Sequence, residues 1–374
     1  MPPTTPDRVS FPRLDAVRAL CFLAIFLFHS FHTERPELLD HPLRVFLRHV
    51  LLNNGSCGVN VFFVLSGFLI TYLLFRERER FERIDVPRFW LRRVLRIWPL
   101  YFACVAFGFG VMPLLKAWAG ETSTEGASLP LFLTFLSNFD PVDPDASNLR
   151  VLWSIAVEEQ FYLFWPLIVW VVPQRRARSV FGALLLLSIV IRIVRPDGWD
   201  LHKHTLACLC ELSMGALTAC AAFDRTMVER MRTWTTRTAL FPLAVFAVLF
   251  VLGHRIEHWS EVGYVVQRPL FAATVAFLLL FQCFARNSAL LLPEGGLLAR
   301  AGRISYGLYC LHPIGALIVI QLMQRWGADR NIWQVVLLQP VLALMASWLL
   351  AELSFRFLEG PFLRLKERFA YAVR

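Results

Sequence analysis

Apolar segments of about twenty residues recur along the whole chain, separated by short stretches rich in arginine. A helix of that length spans the hydrocarbon core of a bilayer and satisfies its own backbone hydrogen bonds there. Ten such segments are predicted, at about residues 14–31, 59–75, 97–115, 153–172, 179–193, 205–223, 240–253, 269–285, 304–323 and 333–355. The sequence therefore predicts an all-α, polytopic integral membrane protein with about ten transmembrane helices.

The composition agrees with a single membrane domain. Of 374 residues, 57% are hydrophobic and 18% are charged, with no internal repeat and no soluble second domain, so residues 1–374 are predicted to form one transmembrane domain. The net charge of +10 comes from arginines between the spans, which membrane topology explains, so binding to nucleic acid is not expected. The eight cysteines show no metal-ligand spacing, so we expect buried thiols and no metal site.

The distribution of Lys and Arg predicts the orientation of the helices. With the N-terminus inside, the cytoplasmic segments hold 25 of these residues and the outer loops hold 12. Such an excess marks the cytoplasmic side. An even number of spans then puts both termini in the cytoplasm, as tails of about residues 1–12 and 356–374. The first span lacks a small-residue cleavage site, so no cleavable signal peptide is expected.

The first span carries charges that a simple membrane anchor does not need. Arg18 and His29 are eleven positions apart. That spacing puts them on one face of a helix, about 16 Å apart along its axis. Charged side chains in a span are costly and mark functional sites by default. This face therefore offers a cation near the inner surface and a titratable imidazole near the outer one.

The densest basic cluster lies between the second and third spans. Within it, Arg93 and Arg96 are three positions apart, on one side of a helix and beside Trp98. A pair of guanidinium groups suits phosphate oxygens, which it binds through charge-assisted hydrogen bonds. The alternative, which the composition leaves equally open, is an anchor for lipid headgroups.

The fourth span carries two adjacent glutamates, Glu158 and Glu159, a turn or two after its start. Ser154, Glu158 and Tyr162 share one face of the predicted helix. Because this helix is predicted to enter from outside, Glu158 is expected about 8 Å below the outer boundary, level with His29. A carboxylate at that depth would fix the tautomer of the imidazole and help it to act as a general base. A purely structural buried pair is the alternative.

The ninth span also carries three polar residues on one helix face, Ser305, Tyr309 and His312. This face predicts either direct catalysis or a buried polar network that supports a cavity. In the second span, Ser66 and Gly67 are small enough to allow a close approach of a neighbouring helix. The other histidines lie in or near outer loops and are expected to be solvated, or at most to contact an acceptor: His32, His41, His49, His202, His204, His254 and His258.

Taken in order, five motifs resemble the acyltransferase-3 family. They are Arg18-x10-His29, Phe-Phe-Val-Leu-Ser-Gly-Phe-Leu-Ile in the second span, Arg93-x-x-Arg96, Trp-Ser-x-x-x-Glu-Glu-Gln-Phe-Tyr in the fourth span and Ser-Tyr-x-x-Tyr-x-x-His in the ninth. The match runs from Arg13 to Pro361 and so covers essentially the whole chain. The resemblance implies a membrane O-acyltransferase with about ten helices, an acyl-CoA donor taken from the cytoplasm and an acceptor hydroxyl outside. It also implies that His29, Arg18, Arg93 and Arg96 are essential.

On this resemblance the chain is expected to be an O-acyltransferase of the bacterial inner (plasma) membrane, with acetyl-CoA or another acyl-CoA as donor and no metal. His29 and Glu158 are the predicted catalytic residues, and Arg18, Arg93 and Arg96 are predicted to bind the donor. The predicted supporting or substrate-binding residues are Ser154, Glu159, Tyr162, Ser305, Tyr309 and His312. Direct transfer and an acyl-histidine intermediate both stay open.

The expected partners are the lipid bilayer, acyl-CoA and a saccharide or glycolipid acceptor. The extracytoplasmic esterase domain that some members of the family append is not found in this sequence. The membrane domain is therefore expected to act alone or to hand its product to a partner in envelope biosynthesis, and a homo-oligomer stays open. The rival hypothesis is a transporter or flippase for a lipid-linked glycan, because intramembrane Arg, Glu and His also mark substrate pathways.

Overall fold

The computed structural model describes residues 11–53, 55, 57–118 and 125–369. Within these residues the chain is helical, and its one extended pairing is an isolated bridge between Thr235 and Asn287. The prediction of an all-α, polytopic membrane protein is confirmed. Parts of the two predicted tails, residues 1–10 and 370–374, lie outside the described residues.

In the described part of the chain, ten long helices correspond one to one to the predicted spans. They are α1 (Arg13–His29), α2 (Cys57–Phe81), α3 (Val86–Ala106), α4 (Trp153–Val171), α5 (Gln174–Val194), α6 (Thr205–Ala222), α7 (Thr236–Trp259), α8 (Glu261–Phe284), α9 (Ser305–Arg325) and α10 (Gln339–Leu353). All of them except α1 and α4 belong to the eight helical stretches that are long and apolar enough to cross a membrane. The two exceptions are the 17-residue α1 and the helix with two glutamates, and both carry predicted site residues.

Two of the long helices are extended by additional helical turns. Phe107–Val111 and Met112–Trp118 continue α3, Gln334–Leu338 precedes α10, and Ser354–Glu359 and Gly360–Glu367 follow it. The connections contain the short helices Pro36–Leu39, Pro42–Val45, Phe46–Leu51, Leu129–Leu133, Ser137–Phe139, Ser147–Arg150, Arg225–Arg232 and Gly296–Arg303.

The helix α3 begins well before the predicted third span, at Val86 instead of near residue 97. The side chain of Asp85 caps it by accepting a hydrogen bond of 3.1 Å from the backbone N–H of Arg88. A proline in the first turn is tolerated there because its missing N–H would have had no helical partner. The basic segment with Arg93 and Arg96 is therefore the first half of a continuous helix and not a connection between two spans.

The helices α2 and α6 pack with their backbones in contact. A Cβ atom at Gly67 would lie 2.0 Å from the carbonyl oxygen of Leu212, and one at Gly215 would lie 2.1 Å from that of Val64. Such a crossing requires glycine on both helices. The prediction of close packing at Gly67 is confirmed, and this packing holds the neighbouring Ser66 in a fixed position on α2.

The connection between α3 and α4 enters the protein. Phe132, Asn148 and Leu149 are only 1%, 2% and 1% exposed. The Asn148 side chain donates a hydrogen bond of 2.9 Å to the carbonyl oxygen of Cys104 on α3, which fixes the connection against that helix. As a result, α4 begins inside the protein and not at its surface.

Candidate active site

A cavity of ≈ 340 Å³ lies between α1, α2, α3, α4 and α9. Eight of the eleven predicted site residues line it: Arg18, Arg93, Arg96, Ser154, Glu158, Tyr162, Ser305 and Tyr309. These residues come from four helices and from separate motifs, so it is the tertiary structure that brings them together. His29, Glu159 and His312 are not among the lining residues.

Glu158 is held by hydrogen bonds on the wall of this cavity. The Ser66 hydroxyl donates to its Oε1 at 2.6 Å, and the Tyr162 hydroxyl lies 3.1 Å from its Oε2. The Tyr162 hydroxyl also lies 3.1 Å from Ser66 Oγ, which closes a three-membered network. Both carboxylate oxygens therefore have a hydroxyl partner, and the side chain is fixed in one position.

The expected pairing of Glu158 with His29 is wrong. The hydrogen bonds of Glu158 go to Ser66 and Tyr162, whereas the ring of His29 lies against His312. The expected pairing rested on equal depths of Glu158 and His29 below the outer surface. In the structure Glu158 lines the cavity together with Arg93 and Arg96 of α3, and His29 does not line that cavity.

The guanidinium groups in the cavity differ in how fully they are paired. Arg18 donates a hydrogen bond of 2.6 Å to Asp15, its neighbour on α1. The Arg93 guanidinium lies over the ring of Tyr162, 5.5 Å from its centroid, and its buried Nε has no hydrogen-bond partner among the described residues. Arg96 is exposed in the cavity. Two cations thus remain without a full complement of hydrogen bonds.

The charges on the cavity wall favour an anion. Three guanidinium groups face two carboxylates there, those of Asp15 and Glu158. Arginines that protrude from a protein surface suit lipid headgroups, but Arg93 lines the cavity with its Nε buried. A free ligand with phosphate oxygens could instead satisfy its unpartnered N–H, because a buried donor without a partner is costly.

A pair of histidines lies on the other side of Tyr309. His29 is exposed at the C-terminal end of α1, whereas His312 is 1% exposed. The Nε2 atom of His312 lies 3.3 Å from Nδ1 of His29, and Nδ1 of His312 lies 2.8 Å from the carbonyl oxygen of Tyr309. Tyr309 also lines the cavity, so the histidine pair lies one helical turn beyond a cavity-lining residue of α9.

These contacts determine the tautomers of the two neutral rings. A carbonyl oxygen only accepts, so Nδ1 of His312 must carry the proton and its Nε2 must accept. The hydrogen bond between the rings is then donated by Nδ1 of His29. This arrangement leaves Nε2 of His29 with a free lone pair, which is the form that a general base needs.

Ser154 lines the same cavity as Glu158 and Tyr162, so the three residues share one face of α4 as expected. The Ser154 hydroxyl also lies 2.7 Å from the hydroxyl of Tyr309 on α9. The Tyr309 hydroxyl in turn donates a hydrogen bond of 2.9 Å to the carbonyl oxygen of Val151. These contacts join the start of α4 to α9 and hold Tyr309 between the cavity and the histidines.

Glu159 points away from the cavity. Its Oε2 accepts a hydrogen bond of 2.8 Å from the indole N–H of Trp98 on α3. Its Oε1 is buried without a partner among the described residues. The adjacent Gln160 fixes the connection before α4, because its side chain donates to the carbonyl oxygen of Phe135 at 2.8 Å. The two glutamates therefore have different surroundings, although they are neighbours in sequence.

Two groups in the structure go beyond the sequence-based predictions. The first is Ser66, where packing alone is expected from the sequence, although a hydroxyl in the middle of an apolar span is itself a signal of a polar partner. The second consists of His254 and His258, which are expected to be solvated, together with Glu257; one ligand atom from each of the three residues lies within 4.8 Å of the others. Their spacing on one helix face, at positions i, i+3 and i+4, is the signal that could have found this group.

Comparison with known proteins identifies the family. The family model described as an acyltransferase domain, that of the acyltransferase-3 family, matches residues 11–352. The chain is 27% identical over 94% of its length to O-acetyltransferase OatA of Staphylococcus aureus, of which 57% is covered. It is also 27% identical, again over 94% of its length, to peptidoglycan O-acetyltransferase OatA of Listeria monocytogenes, of which 55% is covered.

A third relative, the putative peptidoglycan O-acetyltransferase YrhL of Bacillus subtilis, is 27% identical over 94% of this chain and 54% of its own length. The chain thus spans about half the length of the curated relatives it matches. No solved structure matches it. With its apolar helices, these similarities identify a multi-pass protein of the plasma membrane.

Proposed function

Since the chain belongs to the acyltransferase-3 family, we propose that it is a membrane O-acetyltransferase that moves an acetyl group from cytoplasmic acetyl-CoA to a hydroxyl of an extracytoplasmic cell-wall saccharide. Relatives named as peptidoglycan O-acetyltransferases support the choice of acetyl group and acceptor class. The observation that carries the proposal is one cavity lined by Arg18, Arg93 and Arg96, with the His312–His29 pair one helical turn beyond the cavity-lining Tyr309.

The arginines are proposed to hold the phosphate groups of CoA. Arg93 and Arg96 belong to the first half of α3, which the positive-inside distribution assigns to the cytoplasmic side. Arg93 has an unpartnered Nε and Arg96 is exposed, so both have N–H groups free for phosphate oxygens. Arg18, fixed by Asp15, adds positive charge at the same level. The pantetheine arm then runs along α1 toward His29, about 16 Å from Arg18.

His29 is proposed to act as the general base. Its free Nε2 takes the proton of the acceptor hydroxyl while the hydroxyl oxygen attacks the thioester carbonyl carbon. The carbon–sulfur bond then breaks, and the CoA thiolate takes the proton from the His29 imidazolium. His312 keeps the base in the correct tautomer through its contact with Nδ1 of His29, as the third member of a triad does.

Glu158 is proposed to act at the donor end of the cavity. It holds Tyr162 and Ser66 in place beside Arg93, and its charge balances one of the guanidinium groups when the site is empty. A carboxylate fixed among cations also repels phosphate groups that come close to it. It therefore favours a ligand whose phosphates lie on the guanidinium groups. This role replaces the expected contact with His29.

The proposal is tested with the full chain purified in detergent or nanodiscs and supplied with acetyl-CoA and a soluble peptidoglycan fragment. Release of free CoA and acetylation of the fragment, measured by mass spectrometry, are the expected results, and His29→Ala should show neither. A protein that binds glycan, moves a lipid-linked glycan across vesicles and neither cleaves acetyl-CoA nor forms the ester would instead support the transporter hypothesis.

A further inference from the structure

A second cavity, of ≈ 580 Å³, lies at the opposite ends of the helices. It is enclosed by the C-terminal ends of α5 and α7, the start of α8 and the connection at residues 195–204. Phe28 forms part of its wall, and the ring centroids of Phe28 and His29 are 5.1 Å apart. The charge distribution assigns these helix ends to the outer side. The cavity therefore lies beside the proposed base, on the side where the acceptor is expected.

Arg192 on the wall of this cavity is a buried cation with incomplete hydrogen bonding. Its side chain is 1% exposed, and its Nε has no partner among the described residues. Its polar contacts are long, 3.4 Å to the carbonyl oxygen of Leu201 and 3.9 Å to Glu257, and its guanidinium lies over the ring of Tyr264, 5.5 Å from the centroid. A buried guanidinium in this state is costly unless a ligand supplies an acceptor. Arg195, by contrast, pairs with Glu261 at 2.7 Å.

Two aromatic residues give the cavity rigid apolar surfaces. Trp199 stacks flat on His204, with ring centroids 3.7 Å apart and an angle of 8° between the planes. Tyr264 is covered by the guanidinium of Arg195 at 3.9 Å. The Trp199 indole is fixed by its stacking on His204 and is 39% exposed. It therefore provides a face for the C–H groups of a sugar ring. Asp200, His202 and Asn53 add hydrogen-bonding groups around it.

We propose that this outer cavity is the binding site of the acceptor, and that it selects a saccharide with one anionic group. The sugar ring lies against Trp199, and its carboxylate or phosphate is bound by Arg192. This assignment rests on the proposed function. It adds to that function the statement that the acceptor carries an anionic group, which acetyl transfer itself does not require. It also names the residues that recognise the acceptor. The volume lies within the range of about 300–1,000 Å³ that is usual for small-molecule sites.

Binding of single sugars to the full chain in nanodiscs, without acetyl-CoA, tests the site. Saturation-transfer NMR would compare N-acetylmuramic acid, N-acetylglucosamine 6-phosphate and N-acetylglucosamine. At least one of the two charged sugars should bind about tenfold more tightly than the neutral one, and the better of the two identifies carboxylate or phosphate as the preferred anion. Equal binding of all three sugars would overturn the assignment of an anion site.

Variants localise the binding. Arg192→Gln should weaken binding of the charged sugar about tenfold and leave the neutral sugar unchanged, whereas Trp199→Ala should weaken all three. Arg178→Gln, which removes a surface arginine paired with Asp224 at the other end of α5, is the matched control and should bind as the wild type does. If the buried Arg192→Gln does not fold, Trp199→Ala still decides, because wild-type binding of all three sugars by this variant would refute the site.

The proposed function and the proposed acceptor site can be refuted independently of each other. A protein that binds the charged sugar through Arg192 but transfers no acetyl group refutes the proposed function and not this site. Acetyl transfer to a peptidoglycan fragment with an unchanged acceptor KM in folded Arg192→Gln and Trp199→Ala refutes this site and not the proposed function. Hydrolysis of acetyl-CoA in the absence of acceptor should be unchanged in the Arg178→Gln control, because Arg178 lines neither cavity.

Discussion

The Nε2 atom of His312 lies 3.3 Å from Nδ1 of His29, so a buried histidine on α9 sets the proton on an exposed histidine at the end of α1. The two residues are 283 positions apart in sequence. Their contact assigns the proposed base a positioning residue, and Glu158, which the sequence suggested for that role, belongs to a different part of the protein.

His29→Ala is expected to abolish acetyl transfer and to leave the fold intact, because His29 is exposed at a helix end. His312→Gln should lower kcat by about 10²–10⁴-fold with little change in the donor KM, as expected for loss of an oriented base. Steady-state kinetics measure both effects, and size-exclusion chromatography checks the fold. Substantial transfer by folded His29→Ala would show that another group is the base.

Arg93→Ala and Arg96→Ala are each expected to weaken binding of CoA by about 1.5–3 kcal/mol, the cost of losing a hydrogen bond to a charged group. Titration of CoA onto the purified variants measures the loss. Arg178→Ala is the control, because this exposed arginine is paired with Asp224 and lies outside the cavity. Normal CoA binding together with poor membrane insertion would favour the lipid-headgroup alternative.

Glu158→Gln is expected to change donor binding and not the pH dependence of catalysis. The carboxylate bonds to Ser66 and Tyr162 beside the arginines and has no hydrogen bond to His29. The pH profile of kcat should therefore match that of the wild type, whereas His312→Gln should displace it. If Glu158→Gln shifted the pH profile of kcat and His312→Gln did not, Glu158 would be coupled directly to His29, which this structure does not show.

Gly67→Ala is expected to destabilise the protein by about 1–3 kcal/mol, the usual cost of overpacking. The added methyl group would meet the backbone of α6, 2.0 Å from the carbonyl oxygen of Leu212, and backbone cannot move aside as a side chain can. Thermal unfolding in detergent measures the effect. Gly182→Ala on α5 is the control, because no atom lies within 4 Å of its added Cβ, and it should be neutral or slightly stabilising.

Labelling with a membrane-impermeant thiol reagent tests the sidedness on which the donor and acceptor assignments depend. Applied from outside, the reagent should modify cysteine introduced by Glu34→Cys or Asp143→Cys, and not by Arg80→Cys or Arg176→Cys. All four positions are exposed, and seven of the eight native cysteines are buried, so the background should be low. The reverse labelling pattern would invert the topology and place the proposed base in the cytoplasm.

The amino-acid sequence was enough to predict the all-α membrane architecture, because a bilayer admits so few structures that runs of about twenty apolar residues suffice to predict helices. It also indicated Arg18, Arg93, Arg96, Glu158 and Tyr309, because polar and charged groups are rare inside apolar spans and attract attention there. Its periodicity showed which of them share a face of one helix.

Which helix faces meet depends on the tertiary structure. The connection before α4 is held against α3 by the buried Leu149 and Asn148, and no helical periodicity reports where a helix begins relative to its neighbours. The contact of His29 with His312 likewise depends on how α1 packs against α9. Sequence spacing measures distance along one helix, whereas a site built from several helices depends on the relative shift of their axes, which side-chain packing sets.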